Sequence, residues 1–422
     1  MTSDTNQNLR VAVVAEMASD RMGGEAVLPL HFFRELRRAG VDARLVTHER
    51  VSSELQESLG DDFQYASFVK DTFLHRLFFK MGCWLPGRIR IGWYTMTVNT
   101  LTQLALCRLV RRLAKGGQID LVHQPVPVSP RTPSWYFRIG VPVVIGPMNG
   151  GMEYPEAFRD RFESRFITRI VNSLRFGSEL INVLIPGKRL AAHLLVANTR
   201  TQESLPRFST PNVSILVENG VLEEEVTSEL ARTSDPNQQS TSFLFVGRLV
   251  DWKGVDYLLR AFAKVRQQIS ATLTIVGNGG QRANLEQLAA ELGLADSVEF
   301  TGALPRQDCL ALMRSKDVFV LSSVLECGGA VVLEAMANGM PVIASDWGGP
   351  QDYIDSECGL LVPPTTPEQF EHDFSEAMLK LARNPELRVQ LGNNGPQKVA
   401  DHYTWTKKIE HILQVYSAAC KH

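Results

Sequence analysis

What this 422-residue chain lacks narrows its function before anything in it is read. It has no D-x-D triplet, and so no carboxylate pair of the kind that carries a metal-bound nucleotide diphosphate. Its six cysteines, at positions 83, 107, 309, 327, 358 and 420, form no C-x-x-C pair and show no metal-ligand spacing. That usage fits a reduced, cytoplasmic setting. The opening "MTSDTNQNLRVAVVAEM" has neither the basic start nor the apolar run of a signal peptide. No stretch reaches the roughly 20 uncharged apolar residues of a spanning helix. The expectation is a cytoplasmic protein that at most rests on the cytoplasmic membrane face. A formal net charge of −2 gives no overall pull towards nucleic acid. No Ser-His-Asp or Cys-His arrangement suggests itself, and Cys327 has no evident base.

What remains is a soluble globular composition, 44% hydrophobic and 21% charged, on a chain long enough for two domains. The first half opens on "LRVAVVAEM", a continuous apolar run suited to a strand buried on both faces. The loop "ASDRMGGEAV" leads to the amphipathic helix "LPLHFFRELRRAG", and "VDARLVTHE", "IDLVHQP" and "VPVVIGPMNGG" read as further strands. "AAHLLVANTRTQESL" reads as a strand running into a helix, with Thr199 and Gln202 spaced as a capping box. The polar stretch 222–242 has no apolar periodicity and is the best linker candidate. Beyond it the pattern restarts with "FLFVGRL", "ATLTIVGNGG", "SVEFTGAL", "DVFVLSS" and "PVIASD" as strands between helices. This alternation predicts an α/β fold of two Rossmann-like, doubly wound domains facing across a cleft. The boundaries are 1–218, a linker at 219–242, a second domain at 243–402, and a closing helix at 403–422 that crosses back to the first. Ligands of such sheets bind beyond the carboxyl ends of the strands, which makes the cleft the place to search.

The stretch "LECGGAVVLEAMANG" holds two glutamates in an apolar run. Gly328 and Gly329 let a ligand approach a helix start at Ala330, where free N–H groups and the helix dipole favour an anion. Side chains on a helix lean towards its N-terminus, so Glu334 reaches back to whatever is held there. A carboxylate suits the vicinal hydroxyls of a sugar or ribose. On spacing alone, a buried helix with a solvent-facing Glu334 accounts for the same pattern. Arg248 and Lys253, in "VGRLVDWKG", follow a strand and place two cations where a diphosphate would sit. As an isolated R-x4-K, a solvated loop pair explains them as well. "IVGNGG" lacks the full G-x-G-x-x-G and reads as a tight strand-to-helix turn, with Asn278 near a base. In the first half, Gly23 and Gly24 bring backbone amides to phosphate oxygens or simply make a turn. His123 ends the strand "IDLVH" and points towards the cleft if the sheet is as drawn. Asn149 and Glu153, in the glycine-rich "GPMNGGMEYP", are candidate polar contacts on the acceptor side.

Taken in order along the chain, these motifs resemble those of the family-4 retaining glycosyltransferases with the GT-B fold. The resemblance rests on "MGGEAVLPLHFFRELRRAGVDARLVT", "DLVHQP", "ENGV", "FVGRLVDWKGVDYLLRAF", "TIVGNGG", "VEFTGAL" and "ECGGAVVLEAMANGMPVIASDWGGPQDYI". The last carries the E-x7-E signature from Glu326 to Glu334. The family implies a hexose moved from a nucleotide diphosphate sugar to a glycan or lipid-linked acceptor, with no metal or other cofactor. It implies Glu334 on the nucleotide ribose, and Glu326 with the amides of Gly328 and Gly329 on the donor sugar's hydroxyls. Arg248 and Lys253 would neutralise the departing diphosphate, His123 would lie near the reacting sugar, and Gly24 would approach the diphosphate. The diphosphate oxygen would take the acceptor's proton, and closure would exclude water. Two departures stand out. Cys327 and Gly328 occupy positions where most relatives have a glycine and an aromatic, and the residues at "GPMNGG" differ from the usual His or Asp. Rival readings are a nucleotide-sugar epimerase, a phosphorylase or a catalytically silent sugar-nucleotide-binding protein. A phosphorylase would need a lysine-anchored pyridoxal phosphate, of which the sequence shows no sign.

One segment stands apart. Between 69 and 116, nine Lys or Arg face a single acid, Asp71, with Phe73, Leu77, Phe78, Phe79, Trp84, Trp93 and Tyr94 interleaved. This composition suits docking on an anionic lipid surface. It equally suits a helical insertion whose aromatics form core and whose arginines snorkel outwards.

Overall fold

The computed structural model describes residues 9–22, 24–85, 90, 93–162, 177–227 and 240–421. The chain divides into two compact units: Met1–Gly151, Val171–Glu218 and Lys408–His422 in one, Met152–Ile170 and Asn219–Lys407 in the other. Residues 152–170 and 403–407, which the sequence boundaries leave outside the second domain, group with the second unit. Packing shows why. Phe158 is fully buried and meets Tyr257 and Phe370 edge-on, each at 5.5 Å. The Val221 and Trp405 amides donate to Tyr403 and Val221 carbonyls at 3.0 Å.

Among the described residues the first unit is built on seven parallel strands: β1 (Arg10–Val14), β2 (Asp42–His48), β3 (Ala66–Val69), β4 (Leu121–Gln124), β5 (Val143–Met148), β6 (His193–Val196) and β7 (Val213–Ile215). Their order is β3-β2-β1-β4-β5-β6-β7. The second unit has six among its described residues, again parallel: β8 (Thr241–Val246), β9 (Ala271–Val276), β10 (Val298–Gly302), β11 (Val318–Leu321), β12 (Val342–Ser345) and β13 (Gly359–Val362). These run β10-β9-β8-β11-β12-β13. Both orders reverse direction beside the first strand of the unit, the doubly wound arrangement whose ligands lie at the switch point.

The central strands are apolar runs because helices cover both faces of a parallel sheet. Every residue of β4, β5, β11 and β12 is buried. In the first unit Ala12, Val14, Val46, Val122, Ile145 and Leu194 form one core with Leu106 and Val110 of the helix Thr100–Lys115. In the second, Phe243 meets Phe262 of the helix Val255–Arg266 edge-on at 6.2 Å, and Phe245, Leu273 and Ile275 are buried on the same face of the sheet. The helix Thr199–Glu203 is capped by Asn198, whose side chain accepts from the Thr201 amide. That corrects the expected Thr199–Gln202 box: a short carboxamide one residue upstream reaches the orphan N–H first. Of the four edge strands, β3 and β13 escape the sequence reading. Both are four residues long, and β3 has only one fully buried residue.

Candidate functional site

In the second unit, the loops after β8, β9, β11 and β12 emerge at the carboxyl ends of adjacent strands. The glycines of "IVGNGG" serve that packing. Gly277 has φ +140°, and a Cβ there would stand 1.9 Å from the Gly247 carbonyl oxygen. Only glycine lets the β9 loop press so closely on the β8 loop. Asn278 is exposed, and its side-chain oxygen accepts from Arg282 at 2.8 Å.

The segment from Glu326 to Glu334 leaves β11 as a loop and becomes the helix Ala330–Ala337. Gly329 makes the turn in the left-handed region, φ +71° and ψ 46°, so its side-chain-free backbone is what starts the helix. The loop is held from behind by the Gly349 amide, which donates to the Glu326 carbonyl at 2.8 Å. Cys327 is exposed, and Gly328 and Ala330 lie beside it around the helix start.

Each glutamate holds a cation. Lys253 Nζ is paired with Glu326 Oε2, both side chains being 13% exposed, and Ser323 Oγ donates to the same oxygen at 3.0 Å. Glu334 Oε1 accepts from Arg306 Nη1 at 2.5 Å. Arg306 in turn is gripped by Glu225, through Nε at 3.0 Å and Nη2 at 2.8 Å. Burial works against the Arg306 charge, but its hydrogen bonds and charge pairs with Glu225 and Glu334 outweigh that and push its pKa up. Arg248 is exposed, with no side-chain partner among the described residues. The structure therefore brings Lys253 to Glu326 and adds Arg306, Glu225 and Ser323, none of which the sequence reading singled out. Arg306 lies 28 residues from Glu334 in no recognisable spacing, so only tertiary contact finds it.

A depression of about 290 Å³ lies elsewhere in this unit, lined by Val250, Asp256, Arg260, Gln281 and Asn284 among others. Its lining contains none of the sequence candidates. The site is recognised by its chemistry rather than by cavity size.

In the first unit the candidates are dispersed. Gly23 lies outside the described residues. Gly24 is exposed with φ +57° and open space around it. His123 does not point out from the strand end as expected. It is fully buried, donating from Nε2 to the Gly146 carbonyl at 2.6 Å and accepting at Nδ1 from Tyr416 Oη at 2.7 Å. Phe32 closes over the ring edge-on at 4.7 Å. With both nitrogens engaged and solvent excluded, it is a core histidine whose pKa burial pushes down to about 4. Asn149 is also buried and donates to Glu218 Oε1 at 2.7 Å. Glu153, in the second unit, is paired with Arg159 at 3.1 Å.

The folded pKa of His123 lies below the ordinary 6.5, so the stability it permits is intact above pH 6.5 and is lost as pH falls towards 4. Glu16, at the end of the segment following β1, opposes this, because burial raises its carboxyl to about 7 while Gln103 donates to it at 2.6 Å. A comparison with His123→Gln cancels the Glu16 effect. The stability advantage of the unsubstituted chain over that variant should shrink by about 3 kcal/mol between pH 7 and pH 4. Urea unfolding midpoints at four pH values measure it, and parallel curves would show that His123 does not titrate in this window.

A further cluster went unnoticed in the sequence: His48, Asp71 and His75 bring side-chain ligand atoms within 4.8 Å of one another. Its chemistry is hydrogen bonding rather than ligation. The Arg50 amide donates to His48 Nδ1 at 3.2 Å and the Thr72 amide to His75 Nδ1 at 3.1 Å. In the neutral rings the proton therefore sits on Nε2, and each presents a donor instead of a lone pair. Burial holds both imidazoles below their ordinary pKa, while Arg50 and His48 both approach Asp71.

A family model described as glycosyl transferases group 1 matches residues 227–398. An uncharacterized glycosyltransferase of Methanocaldococcus jannaschii is 31% identical over 236 residues, 54% of this chain and 60% of the relative. A D-inositol 3-phosphate glycosyltransferase of Corynebacterium jeikeium is 34% identical over 181 residues, 41% of this chain and 42% of the relative. The chain thus spans less than two thirds of the length of these curated relatives. In fold, it is similar to the Anabaena protein HepE solved with UDP and glucose: TM-score 0.61, 17% identity, 97% of this chain and 100% of the other.

Proposed function

Because residues 227–398 match the model of glycosyl transferases group 1 and both sheets are parallel and Rossmann-like, as in the GT-B fold, we propose a retaining, metal-independent glycosyltransferase. It moves a hexose from a nucleotide diphosphate sugar to a glycan or lipid-linked acceptor at the cytoplasmic membrane face. The observation that carries this reading is the pair of carboxylates at the two ends of one loop-helix segment, each holding a cation. Glu334 would take the ribose hydroxyls, exchanging its bond to Arg306 for bonds to the ligand. Glu326 would take the sugar hydroxyls, and Lys253, released from it, would turn with Arg248 to the diphosphate. The amides at the start of the helix Ala330–Ala337 would face the same charge. His123, enclosed in its core, has no direct part in this reading and serves to hold β4 in place. HepE, solved with UDP and glucose, supports a nucleotide sugar as donor.

A thermal-shift panel of UDP-, GDP- and ADP-sugars tests it, since a ligand that binds only the folded state raises the melting temperature. One nucleotide sugar at 100 times its Kd should stabilise the chain by about 2.7 kcal/mol. A panel without any response would remove the donor assignment. A response without transfer to any glycan or lipid-linked acceptor would leave a binding protein.

A further inference from the structure

The helix Phe73–Cys83 is turned the opposite way from an ordinary surface helix. Phe73, Leu77, Met81 and Trp84 recur at spacings of three or four and so form one stripe. That stripe faces out: Phe73 is 71% exposed, Leu77 39%, Met81 47% and Trp84 90%. The residues facing in are His75 and Gly82, both buried. The alternative of aromatics forming core is therefore excluded for these positions.

The inward face explains how such a helix stays in place. At its start, Asp71 is held by Arg50 and His48, and Thr72 with His75 forms a capping box. Near its end, Gly82 lies so close to Trp93 and Tyr94 that a Cβ would meet Tyr94 at 2.4 Å. The Trp93 indole donates to the Phe78 carbonyl at 2.9 Å. Polar and close-packed contacts thus fix the helix from behind and leave its apolar stripe free.

Charge selects the occupant. Arg76 and Lys80 are exposed on this helix and Lys70 is exposed just before it, and the helix itself contains no acid. Of the nearby acids, Asp71 is engaged with Arg50 and His48, and Glu49 accepts from the Asp71 amide at 3.3 Å and stands 4.0 Å from Lys70. A net charge of −2 for the whole chain makes this patch a local reversal rather than a reflection of overall composition. An apolar stripe edged by cations fits an interface where hydrocarbon lies under anionic headgroups. We propose that this helix lies in the headgroup region of an anionic bilayer, with Phe73, Leu77 and Trp84 entering the acyl boundary and Lys70, Arg76 and Lys80 on the phosphates. This deepens the membrane part of the function proposed above by giving it a surface and two separable forces.

Vesicle flotation of the full chain tests it, with phosphatidylcholine vesicles containing or lacking phosphatidylglycerol as the probe. The unsubstituted chain should float with the anionic vesicles. Raising salt from 0.1 to 1 M should weaken binding without abolishing it, because screening removes only the charge component. Arg76→Gln and Lys80→Gln should each weaken it about fivefold. Phe73→Ser/Leu77→Ser/Trp84→Ser should abolish the remainder that persists in salt, while retaining the thermal response to a nucleotide sugar as proof of folding. Binding indifferent to lipid charge and salt would overturn the proposal. So would a concentration-dependent dimer in sedimentation that the triple variant dissolves, since the stripe would then cover a second copy of the chain. Because flotation does not depend on a donor, its failure is distinguishable from failure of the donor panel.

Discussion

Replacing Glu334 with glutamine is expected to lower kcat/KM for glycosyl transfer at least a hundredfold, mainly through KM for the donor. A charge-assisted hydrogen bond contributes roughly 1.5–3 kcal/mol, and a carboxylate on a vicinal diol accepts two. Losing both would cost about 3–6 kcal/mol, and each 1.4 kcal/mol is tenfold. Ribose contacts are the same in the ground and transition states, so their loss appears as weaker binding rather than slower chemistry. The fold should survive. Glu334 contributes one ion pair, to an Arg306 that is half exposed and keeps Glu225, and such pairs are worth little. Steady-state kinetics with the donor found in the thermal-shift panel provide the measurement. An unchanged KM would take Glu334 out of the nucleotide site.

Lys253→Met should act on the other parameter. Here kcat is expected to fall by 10²–10³, the range seen when a donor to developing negative charge is removed. The diphosphate gains charge as it leaves, so the loss is felt in the transition state. This substitution also strands Glu326, whose side chain is only 13% exposed and whose bonded oxygen keeps the Ser323 hydroxyl alone. A buried acceptor left without its cation costs about 1–3 kcal/mol. Adding Glu326→Gln should therefore recover the stability of Lys253→Met without recovering its rate. Denaturant midpoints and kcat for the two singles and the double separate the structural from the catalytic contribution. If the double variant regained activity, Lys253 would be only a counter-ion of Glu326.

These two expectations rest on residues that sequence and structure disclose differently. Arg248, Lys253 and Glu326 are legible because they lie in segments that follow apolar strands, and Glu334 because its helix begins at the end of one of them, and the carboxyl end of a parallel strand is where ligands bind. Glu16 carries the same positional signal after "RVAVV" and was nonetheless missed. Arg306 and Glu225 carry none, since their roles arise only from mutual contact across 81 residues of chain. His123 had the right position and the wrong surroundings: its cover comes from Phe32 and from Tyr416, 293 residues away.

The sequence by itself determined the alternation of strands and helices, and with it two parallel sheets, because a strand covered on both faces must be apolar throughout. It also determined the signature segment, since the two glycines and the apolar helix beyond them are local requirements of backbone geometry. Tertiary structure alone decided which charged groups meet and which faces stay uncovered. The aromatic helix shows this most plainly. Its composition is equally that of a core helix, and only the His75 and Gly82 contacts behind it turn its apolar stripe to the outside. Pairing and exposure depend on what distant segments bring to the same place, and a local pattern of residues does not contain that information.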